Sequence, residues 1–527
     1  MSHPPTPSST RMTNYRWYIC AMLFFATTVN YLDRQVLSLT APDFIMPAFH
    51  WSDADYGNIT GVFSFAYAIC MLFAGRFVDW LGTKRGYLWA IGVWSAGACL
   101  HAVCGLITQR AAGLPDTAAL LRATGDTAVL IATVSTWCFL VARCVLALGE
   151  AGNFPAAIKV TAEYFPKKDR AFSTSIFNAG ASVGALASPL LIPPLAKAFG
   201  WEMAFIIIGA LGFVWMGAWV FMYDKPEKIR FVNAAELDYI EQDKHEHAAT
   251  AAPAAPAAPA APAAAIAAAA APAPEAAAGK KIPFLKCFTF RQTWAFIAGK
   301  FMTDGVWWFF LFWMPVYLKT FNIKMTEGRG MAMIFTLYAI VTVLSIFGGK
   351  LPTVFINNGA ANPYAARMKA MLIFAFFPLA VLLAQPLGTI SPWLSVLMIS
   401  LGCAAHQAWS ANLFSTIGDM IPKAAIATVT GIGGAAGGFA SMLMNKGAGT
   451  FFDHAAGAAL DAGKLVPMTG ELLAKGAQYA RAPLHFMGFE GRPAGYFVIF
   501  CICAIAYLIG WAIMKTLVPK YKPITRY

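Results

Sequence analysis

A long apolar segment at residues 130–160 limits what the chain can fold into, because it can cross the roughly 30 Å hydrocarbon layer of a membrane as one helix. Two charged residues, Arg143 and Glu150, interrupt this segment. They lie seven residues apart, almost two helical turns, so both side chains project from nearly the same face. A charge at such a depth costs about 2.5 to 3.5 kcal/mol. We therefore expect the pair to face a partner or a water-filled cavity, as functional groups or as a structural ion pair between two helices.

The composition is that of a polytopic membrane protein. Hydrophobic residues make up 58% of the chain, charged residues only 12%, and the mean hydropathy is +0.58, whereas soluble domains have about 25% charged residues. The net charge of +13 does not indicate nucleic-acid binding, because the basic residues form short clusters between apolar segments. The ten cysteines include no CxxC pair and lie mostly in apolar segments. The sequence therefore predicts no metal site and no cofactor.

Twelve apolar segments have about the 20 residues that a membrane helix requires. The predicted spans are 17–39, 57–80, 85–106, 131–155, 171–195, 202–222, 291–318, 331–352, 368–386, 391–414, 424–446 and 495–518. They predict an all-α polytopic membrane protein of 12 transmembrane helices in two six-helix halves, residues 17–222 and 291–518. The tails, 1–16 and 519–527, and the linker, 223–290, complete the predicted domain organisation.

The basic clusters predict the orientation. They occupy the two tails and the even-numbered loops, which places both termini in the cytoplasm. The linker is then cytoplasmic too, and its Ala-Ala-Pro repeats at 251–274 predict an extended spacer. The first span is preceded by a polar segment without a small-residue cleavage pattern, so we expect it to remain in the membrane.

The loop after the second span, GRFVDWLGTKRG, carries a G-x-x-x-D-x-x-G-x-[KR]-[KR] pattern. Here the sequence resembles the major facilitator superfamily, whose signature loop joins helices 2 and 3. An aspartate at a helix end beside a glycine turn can be neutralised by the following cations, which gives a contact that can form and break. The residues of this predicted conformational latch are Gly75, Asp79, Gly82, Lys84 and Arg85.

Three further motifs, NYLDRQ, ARxxxxxxEAxxxPAxxK and AHQA, resemble the anion:cation symporter branch of that superfamily, and bacterial hexuronate transporters in particular. The resemblance implies that Asp33 and Glu150 carry protons and that Arg34 meets the substrate carboxylate. It also implies a bacterial inner membrane protein. The family often has arginine at the position of Lys300, so the substrate role of this lysine stays open beside an internal pair with Asp304.

Several other polar and aromatic residues of the spans are candidates for the substrate site. Sugars have apolar ring faces and polar edges, so aromatic plates with nearby amides suit them. Trp409 and Asn412 share one helix face, whereas a membrane histidine such as His406 is more often a packed or hydrogen-bonded residue than a proton carrier. The predicted substrate-binding residues are Tyr31, Arg34, Tyr67, Arg143, Asn178, Lys300, His406, Gln407, Trp409 and Asn412.

These observations predict a proton-coupled symporter that imports a sugar acid, hexuronate first, by alternating access. Other organic anions (aldonates, aldarates or aromatic carboxylates), coupled to protons or sodium, are the closest alternative, and a non-transporting anion sensor is a more distant one. An enzyme is not expected, because neither a G-x-S-x-G nor an H-E-x-x-H motif occurs. The predicted partners are the organic anion, protons and the lipid bilayer, with no nucleic acid, and the protein is expected to be a monomer.

Overall fold

The computed structural model describes residues 11–250, 282–357, 362–461, 464–467 and 478–524. The outer parts of the two predicted tails, 1–10 and 525–527, and residues 251–281 of the predicted linker, with the Ala-Ala-Pro repeats, lie outside the described residues.

Twelve long helices form the described membrane portion, and they confirm the predicted arrangement of two six-helix halves. The first half contains α1 (Tyr15–Thr40), α2 (Asp53–Leu81), α3 (Thr83–Ala111), α4 (Gly125–Tyr164, with a turn at 151–152), α5 (Lys167–Phe199) and α6 (Trp201–Met222). The second half contains α7 (Arg291–Lys319), α8 (Gly328–Asn357), α9 (Pro363–Ile390), α10 (Pro392–Met420), α11 (Lys423–Ala455) and α12 (Arg492–Leu517).

Eight of these helices are long and apolar enough, within the described part of the chain, to cross a membrane by composition alone. The other four, α1, α7, α10 and α11, have 26 to 33 residues and carry buried polar residues. Buried polar groups in a membrane helix are costly and commonly functional. The buried polar residues of these four helices are therefore candidates for a functional site.

The segment between the predicted spans 424–446 and 495–518 contains structure that the sequence did not predict. Helix α11 continues to Ala455, and two small sheets follow. In the first, β1 (Ala458–Asp461) pairs antiparallel with β2 (Lys464–Pro467) and with β3 (Tyr479–Arg481). The second is a hairpin of β4 (His485–Phe486) and β5 (Phe489–Glu490). These ladders pair backbone groups that an irregular loop would leave to water.

The described part of the predicted linker contains a helix, Ala234–Thr250, which docks on the start of α1. The carboxylate of Glu236 accepts hydrogen bonds from the backbone N–H groups of Tyr15 and Arg16 at 2.9 and 3.1 Å. These amides are unpaired donors of the first helical turn, where negative charge is stabilising. The ammonium of Lys168 also lies 4.4 Å from the ring centroid of Tyr239 in the linker helix. The described linker helix therefore packs against the first half and caps the start of α1.

Candidate functional site

Close packing of α3 on α4 positions Glu150. A Cβ atom at Gly149 would lie 2.2 Å from the backbone nitrogen of Trp94, and one at Gly97 would lie 2.6 Å from the backbone nitrogen of Leu146. Glycines at these contacts let two membrane helices approach closely. Because the backbones touch here, the Glu150 side chain is fully buried at the end of the uninterrupted part of α4.

Glu150 pairs with Arg34 of α1. The guanidinium donates from Nε and Nη2 to the same oxygen, Glu150 Oε2, at 3.0 and 2.6 Å. The other oxygen of Glu150 has no partner among the described residues. The resemblance implied that Arg34 meets the substrate carboxylate, and in this structure the carboxylate that it holds is that of Glu150.

Asp33 and Arg143 lie beside this pair. Asp33 neighbours the Trp94 indole and the side chains of Arg143 and Glu150. Neither Asp33 oxygen and none of the Arg143 nitrogens has a hydrogen-bond partner of normal geometry among the described residues, although each residue is only 1% exposed. An unsatisfied buried polar group costs about 1 to 3 kcal/mol, and more when charged. Burial of two acids and two cations is therefore costly, and such clusters in membrane helices are commonly functional.

Aromatic rings surround the Arg34 guanidinium. Its Cζ atom lies 4.8 Å from the ring centroids of both Tyr67 and Trp308, and 5.2 Å from that of Tyr31. Phe63 lies between the two arginines, 5.8 Å from Arg34 Cζ and 5.1 Å from Arg143 Cζ. Cation–π contacts of this kind stabilise a buried guanidinium by about 0.5 to 2 kcal/mol each. Trp308 belongs to α7, so the second half contributes to the surroundings of Arg34.

The second half has a buried ion pair of its own. The Lys300 ammonium lies 2.6 Å from Asp304 Oδ2, one turn further along α7. The same ammonium lies 5.0 Å from the ring centroid of Phe414 in α10. The sequence left an internal pair and a substrate contact open for Lys300, and the structure has the internal pair.

The α10 candidates divide between two faces of the helix. Trp409 and Asn412 are buried, with Trp409 packed edge-to-face on Tyr507 of α12 at 5.6 Å and the Asn412 amide bonded to the Ala408 carbonyl. His406 is also buried, and its Nδ1 lies 2.7 Å from the Tyr507 hydroxyl. Gln407 is exposed on the other face. A substrate role for these four residues stays a prediction.

Asn178 of α5 is exposed, and its role also stays a prediction. Gly180 and Gly184 of the same helix permit close contact with α1. A Cβ atom at Gly180 would lie 2.4 Å from the Phe24 carbonyl, and one at Gly184 would lie 2.6 Å from the Thr28 carbonyl, both in α1. This contact holds the part of α1 that carries Tyr31 against α5.

The predicted latch residues lie between the ends of α2, α4 and α6. Asp79 pairs with Lys159 of α4 at 2.8 Å rather than with the cations of its own loop, and Lys84 pairs with Asp224 after α6 at 3.4 Å. The Lys225 backbone N–H and the Lys84 ammonium lower the pKa of Asp224 below its ordinary value. Arg85 is exposed and Gly75 lies in open space. Gly82 has φ +80°, a left-handed conformation that favours glycine.

Polar contacts join the two halves at the end of the bundle opposite residues 15 and 517, which we call the distal end. Arg492 Nε lies 2.8 Å from Asp53 Oδ2 across the two halves. The carboxylate of Asp453 accepts the backbone N–H groups of Asp53 and Ala54 at 3.0 and 2.8 Å. The start of α2 is therefore capped by an acid from the other half. These contacts hold the distal ends together in this structure.

Some central residues were not predicted from the sequence. Phe63 and Trp308 contact Arg34, and Gln35 donates a hydrogen bond of 2.5 Å to the Tyr338 hydroxyl of α8. The Trp307-Trp308 pair beside a charged turn was the only signal for Trp308. Aromatic residues are common in membrane helices, so the sequence did not separate these from lipid-facing ones.

Twelve helices in two halves, with a cluster of buried charges in the first half, are typical of a multi-pass membrane transporter rather than an enzyme. The model of the Major Facilitator Superfamily matches residues 23–444. The chain belongs to this superfamily.

Sequence and structure comparisons agree with this assignment. The chain is 27% identical to the hexuronate transporter of Escherichia coli (strain K12) over 450 residues, which cover 84% of this chain and 89% of that protein. It is 26% identical to the galacturonate transporter of Dickeya chrysanthemi over 76% of this chain and 97% of that protein. The crystal structure of a bacterial homologue of the human lysosomal transporter Spinster matches with a TM-score of 0.63 at 16% identity, covering 97% and 99% of the two chains. The last similarity concerns the fold alone.

Proposed function

We propose that the protein imports a sugar acid anion, a hexuronate first, together with protons, by alternating access. The observation that carries this proposal is the contact between Arg34 and Glu150, a cation suited to carboxylates held by a buried acid. The similarity to hexuronate and galacturonate transporters supports the same substrate class.

The coupling follows from the charges of the central cluster. With Asp33, Glu150, Arg34 and Arg143 all ionised, the cluster is neutral, so an added anion is uncompensated. A proton on Glu150 removes the charge that holds Arg34, and the free guanidinium can then bind the substrate carboxylate through two parallel hydrogen bonds. One co-transported proton balances the charge of the substrate anion, and a second proton on Asp33 would make the transported charge positive, so that an inside-negative potential drives uptake by about 2.3 kcal/mol per 100 mV.

The orientation is part of the proposal. The basic clusters favour cytoplasmic termini in a bacterial inner membrane, which makes the distal end the outer one. The joined distal ends then represent a state closed to the outside. Transport would require the contacts of Asp53 and Asp453 to break when the protein opens outward.

Selectivity for anions tests this proposal. Purified protein in liposomes should take up labelled glucuronate at least tenfold faster than glucose, which has the same ring without the carboxylate. Equal uptake of the two sugars would overturn the proposal. The Arg34→Ala variant should lose glucuronate uptake without gaining glucose uptake.

An aromatic carboxylate is a second candidate substrate, because four aromatic rings surround Arg34. Flat ligands stack on such rings, whereas sugars also need polar partners at their edges. Competition separates the two candidates. Inhibition of glucuronate uptake by galacturonate but not by benzoate favours the sugar acid, and the opposite order favours the aromatic acid.

A further inference from the structure

We infer that Asp304 is a further proton-carrying residue of the transport cycle and that its protonation frees the Lys300 ammonium, in the second half of the protein, to attract the substrate anion. This inference rests on the proposed proton-coupled transport. It goes beyond the roles of Asp33 and Glu150, which both belong to the first half.

The Lys300–Asp304 pair does not join two helices. Lys300 and Asp304 lie one turn apart on α7, with 2.6 Å between ammonium and carboxylate. A structural ion pair in a membrane usually connects neighbouring segments, and this one connects α7 only to itself. Its order is also unfavourable, since lysine precedes aspartate and the helix dipole prefers the reverse. A role in stability alone does not explain two buried charges at this position.

The neighbouring helix α11 leaves space for the Asp304 carboxylate. A Cβ atom at Gly437 of α11 would lie 2.2 Å from Asp304 Oδ2, so any larger residue there would displace the acid. Asp304 Oδ1 is buried and has no hydrogen-bond partner among the described residues. One oxygen therefore holds Lys300, and the other is available to carry a proton.

The Lys300–Asp304 pair is less deeply buried than Glu150. The side chains of Asp304 and Lys300 are 11% and 9% exposed, whereas that of Glu150 is 0% exposed. Lys300 also contacts the ring of Phe414, which lies on the exposed face of α10. Part of this pair therefore reaches the surface of the protein in the present conformation, and we infer that the proton reaches Asp304 there, without passing through the central cluster.

Helices α10, α11 and α12 place side chains next to the pair. From α10 the titratable neighbour is His406, and from α12 it is Tyr507, which bond each other at 2.7 Å. From α11 the facing residues are Gly437 and Ser441, which do not titrate, although the Ser441 hydroxyl bonds the Asp304 carbonyl at 3.4 Å. With His406 already paired to Tyr507, Asp304 is the acid that can respond to a proton gradient at this site.

The step itself is a proton transfer. A hydronium ion gives its proton to the Asp304 carboxylate, which forms an O–H bond and leaves a water molecule, and Lys300 keeps its own protons and its positive charge. The attraction between the two is then lost, and the unpaired ammonium favours a nearby anion. Return of the proton to water on the other side re-forms the ion pair and removes that attraction.

The test is the accumulation ratio of glucuronate in proteoliposomes with the membrane potential clamped at zero. At equilibrium each coupled proton multiplies the ratio tenfold for one unit of inward pH gradient. The Asp304→Asn variant, which keeps the size of the side chain, should lower the ratio about tenfold while exchange of labelled for unlabelled substrate continues. Ser441→Ala, a matched change at the same site, should leave the ratio unchanged.

An unchanged ratio in Asp304→Asn would overturn the inference. If that variant loses exchange, the double variant Lys300→Gln with Asp304→Asn removes the unpaired lysine, and exchange with a tenfold lower ratio would support the inference. Loss of exchange in both variants would also overturn it, because the pair would then serve folding or substrate binding. Failure of the wild-type protein to accumulate glucuronate would instead reject the proposed function.

Discussion

Arg34 and Glu150 come from helices α1 and α4 and share one oxygen, with Nε and Nη2 of the arginine at 3.0 and 2.6 Å from Glu150 Oε2. A guanidinium can hold a carboxylate through both of its oxygens. Because only one oxygen of Glu150 is held, the pair leaves Arg34 able to exchange its partner for a substrate carboxylate.

Replacement of Glu150 by glutamine should uncouple transport from protons. The glutamine oxygen can still accept a hydrogen bond from Arg34, so we expect the variant to fold and to exchange labelled for unlabelled glucuronate. It should lose accumulation against a gradient, because the side chain no longer binds and releases a proton. Accumulation at the wild-type level in Glu150→Gln would show that Glu150 does not carry an essential proton.

The Arg34→Lys variant keeps the charge but loses the fork of donors. We expect its KM for glucuronate to rise by about 100-fold, since a charge-assisted bidentate contact is worth on the order of 3 kcal/mol. Arg367→Lys is the matched control, because Arg367 pairs with Asp419 away from the centre. A similar KM for Arg34→Lys and the wild-type protein would place the carboxylate contact elsewhere.

Packing of α3 on α4 predicts a large effect of one methyl group. In Gly149→Ala the new Cβ would lie 2.2 Å from the Trp94 backbone nitrogen, which cannot move aside without shifting α3. We expect a loss of about 1 to 3 kcal/mol of stability, measured as a lower melting temperature in detergent. Gly217→Ala, with no atom within 4 Å, should melt at or slightly above the wild-type temperature. Equal melting temperatures for the two variants would contradict the tight contact.

The distal contact predicts a local change in hydrogen exchange. Asp453→Ala removes both acceptors of the Asp53 and Ala54 amides, so these amides should exchange at least tenfold faster. The control is Asp116→Ala, since Asp116 accepts the Ala119 amide, three residues away on the same half. Unchanged protection at Asp53 and Ala54 in Asp453→Ala would show that this acid does not hold the two halves together.

The sequence predicted the fold well because eight of the twelve described helices have a clear apolar signal and the other four are long enough to cross a membrane. It also identified the four central charges, since each stands out in an apolar segment. The pairing of Glu150 with Arg34 rather than with Arg143 was not predictable, because two acids and two cations on two helices allow several pairings, and helix periodicity does not give distances between helices. Trp308 was missed for a related reason, since its contact with Arg34 depends on how the two halves pack.

The latch shows the same limit on a smaller scale. The glycine turn at Gly82 was expected from the motif, and the left-handed conformation is present. The partner of Asp79 is Lys159, which lies in the motif that surrounds Glu150. A lysine at a helix end has many possible partners, so only the packing of α2 on α4 identifies this one.

The most direct test of the central claim is uptake of labelled glucuronate and galacturonate into proteoliposomes, with an inward proton gradient and with the gradient collapsed. We predict accumulation above the external concentration only while the gradient is present, and none in Glu150→Gln. Equal uptake with and without the gradient, or no uptake by folded wild-type protein, would contradict proton-coupled transport of a sugar acid.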